Sequence, residues 1–202
     1  HEISDFIINS DIEEFSDSLL FSEFFSLNNI IDWHLLLLIT NNADGIIKNF
    51  YLSRKKEGAP FLFHPWDYDH SFGRDGDGEL NHNSFLDITR MKLLSRLIET
   101  DAFDYREKLF DKYVSLIETN ILTVTNINSM IDSNMKMIES AAKRNELLWP
   151  VDSVEYFIGQ DFTSEVELMK RWVEKQLPKV EEYLTTLLNE PEMIDVLTGK
   201  LK

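Results

Sequence analysis

The run of apolar and polar positions divides the chain into a helical opening, a short aromatic β segment and a long helical remainder. Ser10-Asp11-Ile12-Glu13 has the form of a capping box, and the helix it opens would carry Ile12, Phe15 and Leu19 on one face. A second helix is predicted from about Leu27 to Thr40. Its stretch from Trp33 to Ile39 is apolar on nearly all sides, which places it at the centre of a core. His34 lies within that stretch and reads as a core histidine. Asn41-Asn42-Ala43-Asp44-Gly45 then stops the helix, because Asn and Gly favour helix ends and turns.

The period changes after this stop. Phe50-Tyr51-Leu52 and Phe61-Leu62-Phe63 are short aromatic runs on either side of the polar Arg54-Lys55-Lys56-Glu57-Gly58, which predicts a β-hairpin. A second polar loop follows, from Trp66-Asp67-Tyr68-Asp69-His70 to about Asn83. Trp66 reads as a core anchor. Helices are predicted over about 86–99, 103–121 and 127–148. A last one starts at the capping-box-like Ser164-Glu165-Val166-Glu167, with Pro178 kinking or breaking it near its middle. No internal repeat or low-complexity tract interrupts this order. The expected fold class is mainly α with a small β-hairpin, in a single domain over 1–202.

Charge and composition narrow the function classes. The 202 residues include 36 acidic against 20 basic, for a net charge of −16. Such a surface disfavours non-specific nucleic-acid binding and anionic membranes, but metal ions can still bring phosphate to it. With no cysteine, disulfides and thiolate metal sites are excluded. The longest apolar run, Leu35 to Ile39, is too short to span a bilayer, so no membrane insertion is expected. His1 is not an initiator residue, and upstream residues are expected.

The order of buried helix, Asp loop, hairpin, second Asp loop and helices is the order of a protein-kinase C-terminal lobe. Asp44 and Asn49 have the five-residue spacing of a kinase catalytic loop, and Asp67 stands after the hairpin where a further metal-binding Asp belongs. Phosphoryl transfer asks a protein chiefly for positioning and charge neutralisation, which such oxygens supply. His64 and His70 flank the second loop without zinc-ligand spacing. Asp75-Gly76-Asp77-Gly78-Glu79 fails the EF-hand order and reads as a loop where an activation segment would begin.

The full segment is more specific than the spacing. Asn42-Ala43-Asp44-Gly45, Lys48-Asn49-Phe50-Tyr51-Leu52 and Pro65-Trp66-Asp67-Tyr68-Asp69-His70-Ser71-Phe72-Gly73-Arg74 resemble the signature of the CotH kinase family. A looser match reaches about Leu188 and includes Glu165 to Trp172. The resemblance implies a secreted, cell-surface or spore-coat protein similar to atypical protein kinases. It would use ATP with Mg²⁺ or Mn²⁺ and phosphorylate Ser or Thr of a surface or coat protein. It implies Asp44 as the catalytic residue and Asn49, Asp67 and Asp69 as metal-binding residues. Lys48 would support phosphate or the loop, and Arg74 would pair with a site carboxylate. Segment 41–74 would be catalytic and 84–190 a helical subdomain. The phosphate-covering loop and lysine of an N-terminal lobe are not found before Ser10, so the chain reads as the C-terminal lobe alone, partnered by its own N-terminal lobe. The alternative is a non-catalytic coat or adhesion module that keeps the fold.

Overall fold

A computed structural model describes residues 2–74, 85–150 and 161–189, with the backbone of 194–195 and 200–201. The described residues form eight helices, α1 Glu2–Asn9, α2 Ile12–Phe15, α3 Ser18–Phe24, α4 Leu27–Thr40, α5 Lys92–Thr100, α6 Tyr105–Glu118, α7 Val124–Leu148 and α8 Phe162–Asn189. Strands β1 Phe50–Ser53 and β2 Leu62–Pro65 pair antiparallel, as do β3 Ile194–Asp195 and β4 Lys200–Leu201. The fold is mainly helical with a hairpin, in the manner of a kinase-like lobe. The loop predicted at 75–79 lies outside the described residues.

The opening helix predicted from Ser10 is in fact broken into pieces by its own aspartates. Asp11, not Ser10, caps α2 by accepting from the Glu14 N–H at 2.9 Å. Asp17 starts α3 afresh by accepting from the Leu19 and Leu20 N–H groups. The break turns Ile12 and Leu19 outward, 65% and 78% exposed, while Phe15 is fully buried. It also gathers phenylalanines: Phe6 stacks on Phe24 at 4.6 Å and on Phe15 at 5.8 Å. Arg96 of α5 closes this cluster. Its guanidinium lies 4.1 Å above the Phe15 ring and donates to the Ile7, Ser10 and Asp11 carbonyls and the Ser10 hydroxyl.

Helix α4 is the central element, as its apolar stretch predicted. Ile30, Trp33, Leu35, Leu37 and Leu38 are buried. His34 is fully buried too, with Nδ1 2.9 Å from the Tyr105 hydroxyl of α6. The hairpin is clamped to this helix. Phe63 stacks on Trp33 at 4.3 Å, and the Asn29 side chain accepts from the Phe63 N–H and donates to the Phe63 carbonyl. Each such aromatic pair adds about 1 kcal/mol beyond area burial.

Two later boundaries differ from the sequence pattern. Helix α5 begins at Lys92, because Asp87 accepts from the Thr89 N–H and turns 88–90 into a 3-10 helix. Helix α8 begins at Phe162, because Asp161 takes the capping role expected of Ser164 by accepting the Ser164 N–H at 2.7 Å. Pro178 does not end α8. Buried neighbours on either side of it, Trp172, Val173, Leu177, Val180 and Leu184, hold the helix by packing. Among the described residues no helix is long and apolar enough to cross a membrane.

Candidate active site

The first loop leaves α4 through Asn41, whose φ of 50° is left-handed and turns the chain. Asn42 is fully buried and accepts the Gly45 N–H on Oδ1 at 2.8 Å. The Asp44 carbonyl collects the N–H groups of Ile47, Lys48 and Asn49 at 3.0–3.1 Å. The loop is thus a tight, self-bonded turn, held further by an Arg90 guanidinium donating to the Ala43 carbonyl.

Within it, the Asp44 carboxylate is partly buried, with 24% of its side chain exposed. Lys48 Nζ stands 2.9 Å from Asp44 Oδ2, and His70 Nδ1 stands 3.5 Å from the same oxygen. Both cation-capable groups fall on one oxygen, so among the described residues Oδ1 is left for another partner. Lys48 was expected to support phosphate or the loop, and the contact seen is to the Asp44 carboxylate.

The hairpin joins this loop to the second. Asn49 precedes β1 and Asp67 follows β2. The Trp66 N–H donates to the Asn49 carbonyl at 3.1 Å, and Asn49 Nδ2 donates to the Asp67 carbonyl at 3.0 Å. With its amide nitrogen so used, the Asn49 side-chain oxygen has no hydrogen-bond partner among the described residues. Asp67 itself has a φ of 56°, a left-handed conformation that Asp tolerates better than most residues and that recurs at functional sites. Its side chain is exposed and makes no ion pair among the described residues. Asp69 is joined elsewhere, with Oδ2 3.6 Å from His70 Nε2. His70 therefore stands between Asp69 and Asp44.

The second loop is buried at Ser71 and Gly73. The Phe72 N–H donates to the Thr40 carbonyl at 3.0 Å, and Ser71 donates its hydroxyl to the Tyr68 carbonyl. Burial pushes the Tyr68 phenol up to about 12, and its hydroxyl has no hydrogen-bond partner among the described residues. Arg74 corrects the expectation of pairing with a site carboxylate. Its Nε and Nη2 donate to the two oxygens of Glu165 on α8, a partner 91 positions away.

Trp66 is also a correction. It is 56% exposed and meets Tyr51 edge-on at 5.4 Å. Strand alternation explains this. Phe63 points into the core, so His64 and Trp66 need not, and His64 pairs across the strands with Tyr51 on the outer face. Sequence reasoning gave no role to Asn42 or to the bridging position of His70. The Asn42–Gly45 spacing of an Asx turn is a usable signal for the first. The second has none, because it depends on how two loops meet.

Among the described residues, no three His, Cys, Asp or Glu side chains gather closely enough to hold a metal ion. The oxygen donors at the hairpin base are instead one amide, Asn49, and one carboxylate, Asp67. That set fits a cation such as Mg²⁺, which takes few protein ligands and fills its shell with phosphate and water.

A helical lobe with two polar loops at the base of an antiparallel hairpin defines a kinase-like lobe. The family described as CotH kinase protein matches residues 1–178, and the chain belongs to it. The chain is also similar to inner spore coat protein H of Bacillus subtilis (strain 168), with 29% identity over 113 residues. That alignment covers 56% of this chain and 30% of the relative, so the chain spans less than a third of the relative's length.

Proposed function

We propose that the intact protein is a phosphotransferase that moves the γ-phosphate of ATP to a Ser or Thr hydroxyl of a coat or cell-surface protein. The described lobe contributes one wall of the cleft, and the N-terminal lobe of the same protein the other. The observation that carries this reading is the bond from the Asn49 amide to the Asp67 carbonyl. It sets the two loops side by side, with the Asn49 side-chain oxygen and the Asp67 carboxylate unpaired among the described residues.

In this reading Asp44 orients the acceptor hydroxyl through Oδ1 and takes its proton. Lys48, on Oδ2, fixes the orientation of that carboxylate. Asn49 and Asp67 would hold Mg²⁺ or Mn²⁺, which would neutralise phosphate charge. Asp69 bears on this site through His70. The similarity to an inner spore coat protein supports a coat location.

Calorimetry on the intact protein tests the reading. Mg²⁺–ATP binding is expected in the wild type, with a loss of roughly tenfold or more in affinity for Asp67→Ala and Asn49→Ala. Equal binding in all three proteins would leave the non-catalytic coat or adhesion module as the better account.

A further inference from the structure

We propose that α8 is the positioning element of this site, with Glu165, Trp172 and Gln176 setting where the Asp44 and Asp67 loops stand relative to each other. The functional part of this inference rests on the reading above; the geometric part does not.

The three residues lie at i, i+7 and i+11, which brings them to one face of a helix. Each touches a different part of the site's frame. Gln176 is 3% exposed, and such burial of an amide is costly unless it is bonded. Its Nε2 donates to the Leu38 carbonyl at 2.8 Å. Leu38 is in the last turn of α4, where carbonyls lack a partner within the helix. Gln176 thus ties α8 to the end of α4, from which the Asp44 loop departs.

Trp172, 2% exposed, meets the far end of the second loop. Phe72 packs edge-on against it at 5.6 Å. Gly73 approaches so closely that a Cβ there would stand 2.2 Å from Trp172 Cδ1. Glu165 then holds Arg74 by a two-pronged, charge-assisted pair, with side chains only 14% and 29% exposed. The loop that begins at the exposed Asp67 is therefore locked on α8 at positions 72–74.

The two attachments are joined by the Phe72 N–H to Thr40 carbonyl bond. The end of α4, the end of the second loop and one face of α8 form a closed frame behind the loops. Asp44 is four residues beyond Thr40, and Asp67 six before Gly73. A small rotation of α8 would shift both. Where catalysis depends on positioning, a misplacement of about 1 Å can cost a hundredfold in rate. These are positioning residues, and none of them is asked to touch substrate.

The test uses the intact protein and the variants Glu165→Gln and Gln176→Leu, below their unfolding midpoints. Hydrogen exchange by mass spectrometry is read over 40–49, 66–74 and α8. The expected result for Glu165→Gln is about tenfold faster exchange over 66–74, including the Phe72 amide. Gln176→Leu should do the same over 40–49. Phosphate transfer should fall about 10- to 100-fold in kcat per folded molecule. The paired substitution Arg74→Glu with Glu165→Arg should recover part of the loss in both readouts. Faster exchange confined to α8, with kcat unchanged, would overturn the proposal. If the wild type transfers no phosphate while the exchange response appears, the phosphotransferase reading fails and the geometric part of this inference stands.

Discussion

Replacing Gly73 by Ala probes the loop lock with a built-in control. Gly73 has a φ of +87° and Gly58, at the hairpin turn, a φ of +73°. Both are left-handed, so an added Cβ costs each about 1 kcal/mol of backbone strain. Among the described residues, Gly73 meets a neighbour and Gly58 does not. A Cβ at Gly58 finds nothing within 4 Å, whereas one at Gly73 falls 2.2 Å from Trp172 Cδ1 and 2.8 Å from Cγ. Trp172 is a rigid ring in a packed interior and cannot swing away, so overpacking adds about 1–3 kcal/mol. Thermal unfolding of the intact protein should show Gly58→Ala lower by about 2–4 °C. Gly73→Ala should fall about two to four times as far. Adding Trp172→Leu opens space, so the cost of Gly73→Ala should shrink in that background, a coupling visible in a double-mutant cycle. Equal drops for the two glycines, or strict additivity with Trp172→Leu, would refute the close approach.

Two further outcomes follow from buried polar groups. Burial holds the His34 imidazole at about 3, below its ordinary 6.5, so the unfolded chain binds a proton that the fold refuses. That stability is complete above the unfolded value and is lost as pH falls toward the folded one, at about 1.4 kcal/mol per pH unit. Denaturant melts between pH 7 and 5 should therefore show a steeper decline for the wild type than for His34→Gln; parallel curves would contradict it. Arg96→Met keeps the buried stem but removes the four hydrogen bonds and the ring contact that hold α1 and α2. Urea unfolding should register a loss of about 2–4 kcal/mol, and a loss below about 0.5 kcal/mol would show that Arg96 is not the clamp described.

The sequence read best where one local signal dominated. Helix α4 was legible because the fourteen residues after its Ser26 cap are mostly apolar and Asn41 ends it. The hairpin was legible because two aromatic runs flank a polar turn. The opening was misread because caps outrank apolar spacing: Asp11 and Asp17 each start a helix, and the break turns Ile12 and Leu19 to solvent. Trp66 was misread from its residue type, although the period of the strand already set it on the face opposite Phe63. The site was legible as loops and residue types. Its assembly was not, since the Arg74–Glu165 pair and the Gly73–Trp172 contact join positions about a hundred apart, and no local pattern encodes them.

The central claim is that Asp44, Asn49 and Asp67 serve phosphate transfer. It is tested most directly by incubating the intact protein with γ-labelled ATP, Mn²⁺ or Mg²⁺ and a coat-protein fraction, and counting label on Ser and Thr. The account predicts labelling by the wild type and a fall of at least about a hundredfold for Asp44→Asn, with the variant folded and still binding Mg²⁺–ATP. Label transferred equally by wild type and Asp44→Asn, or by neither, would contradict it.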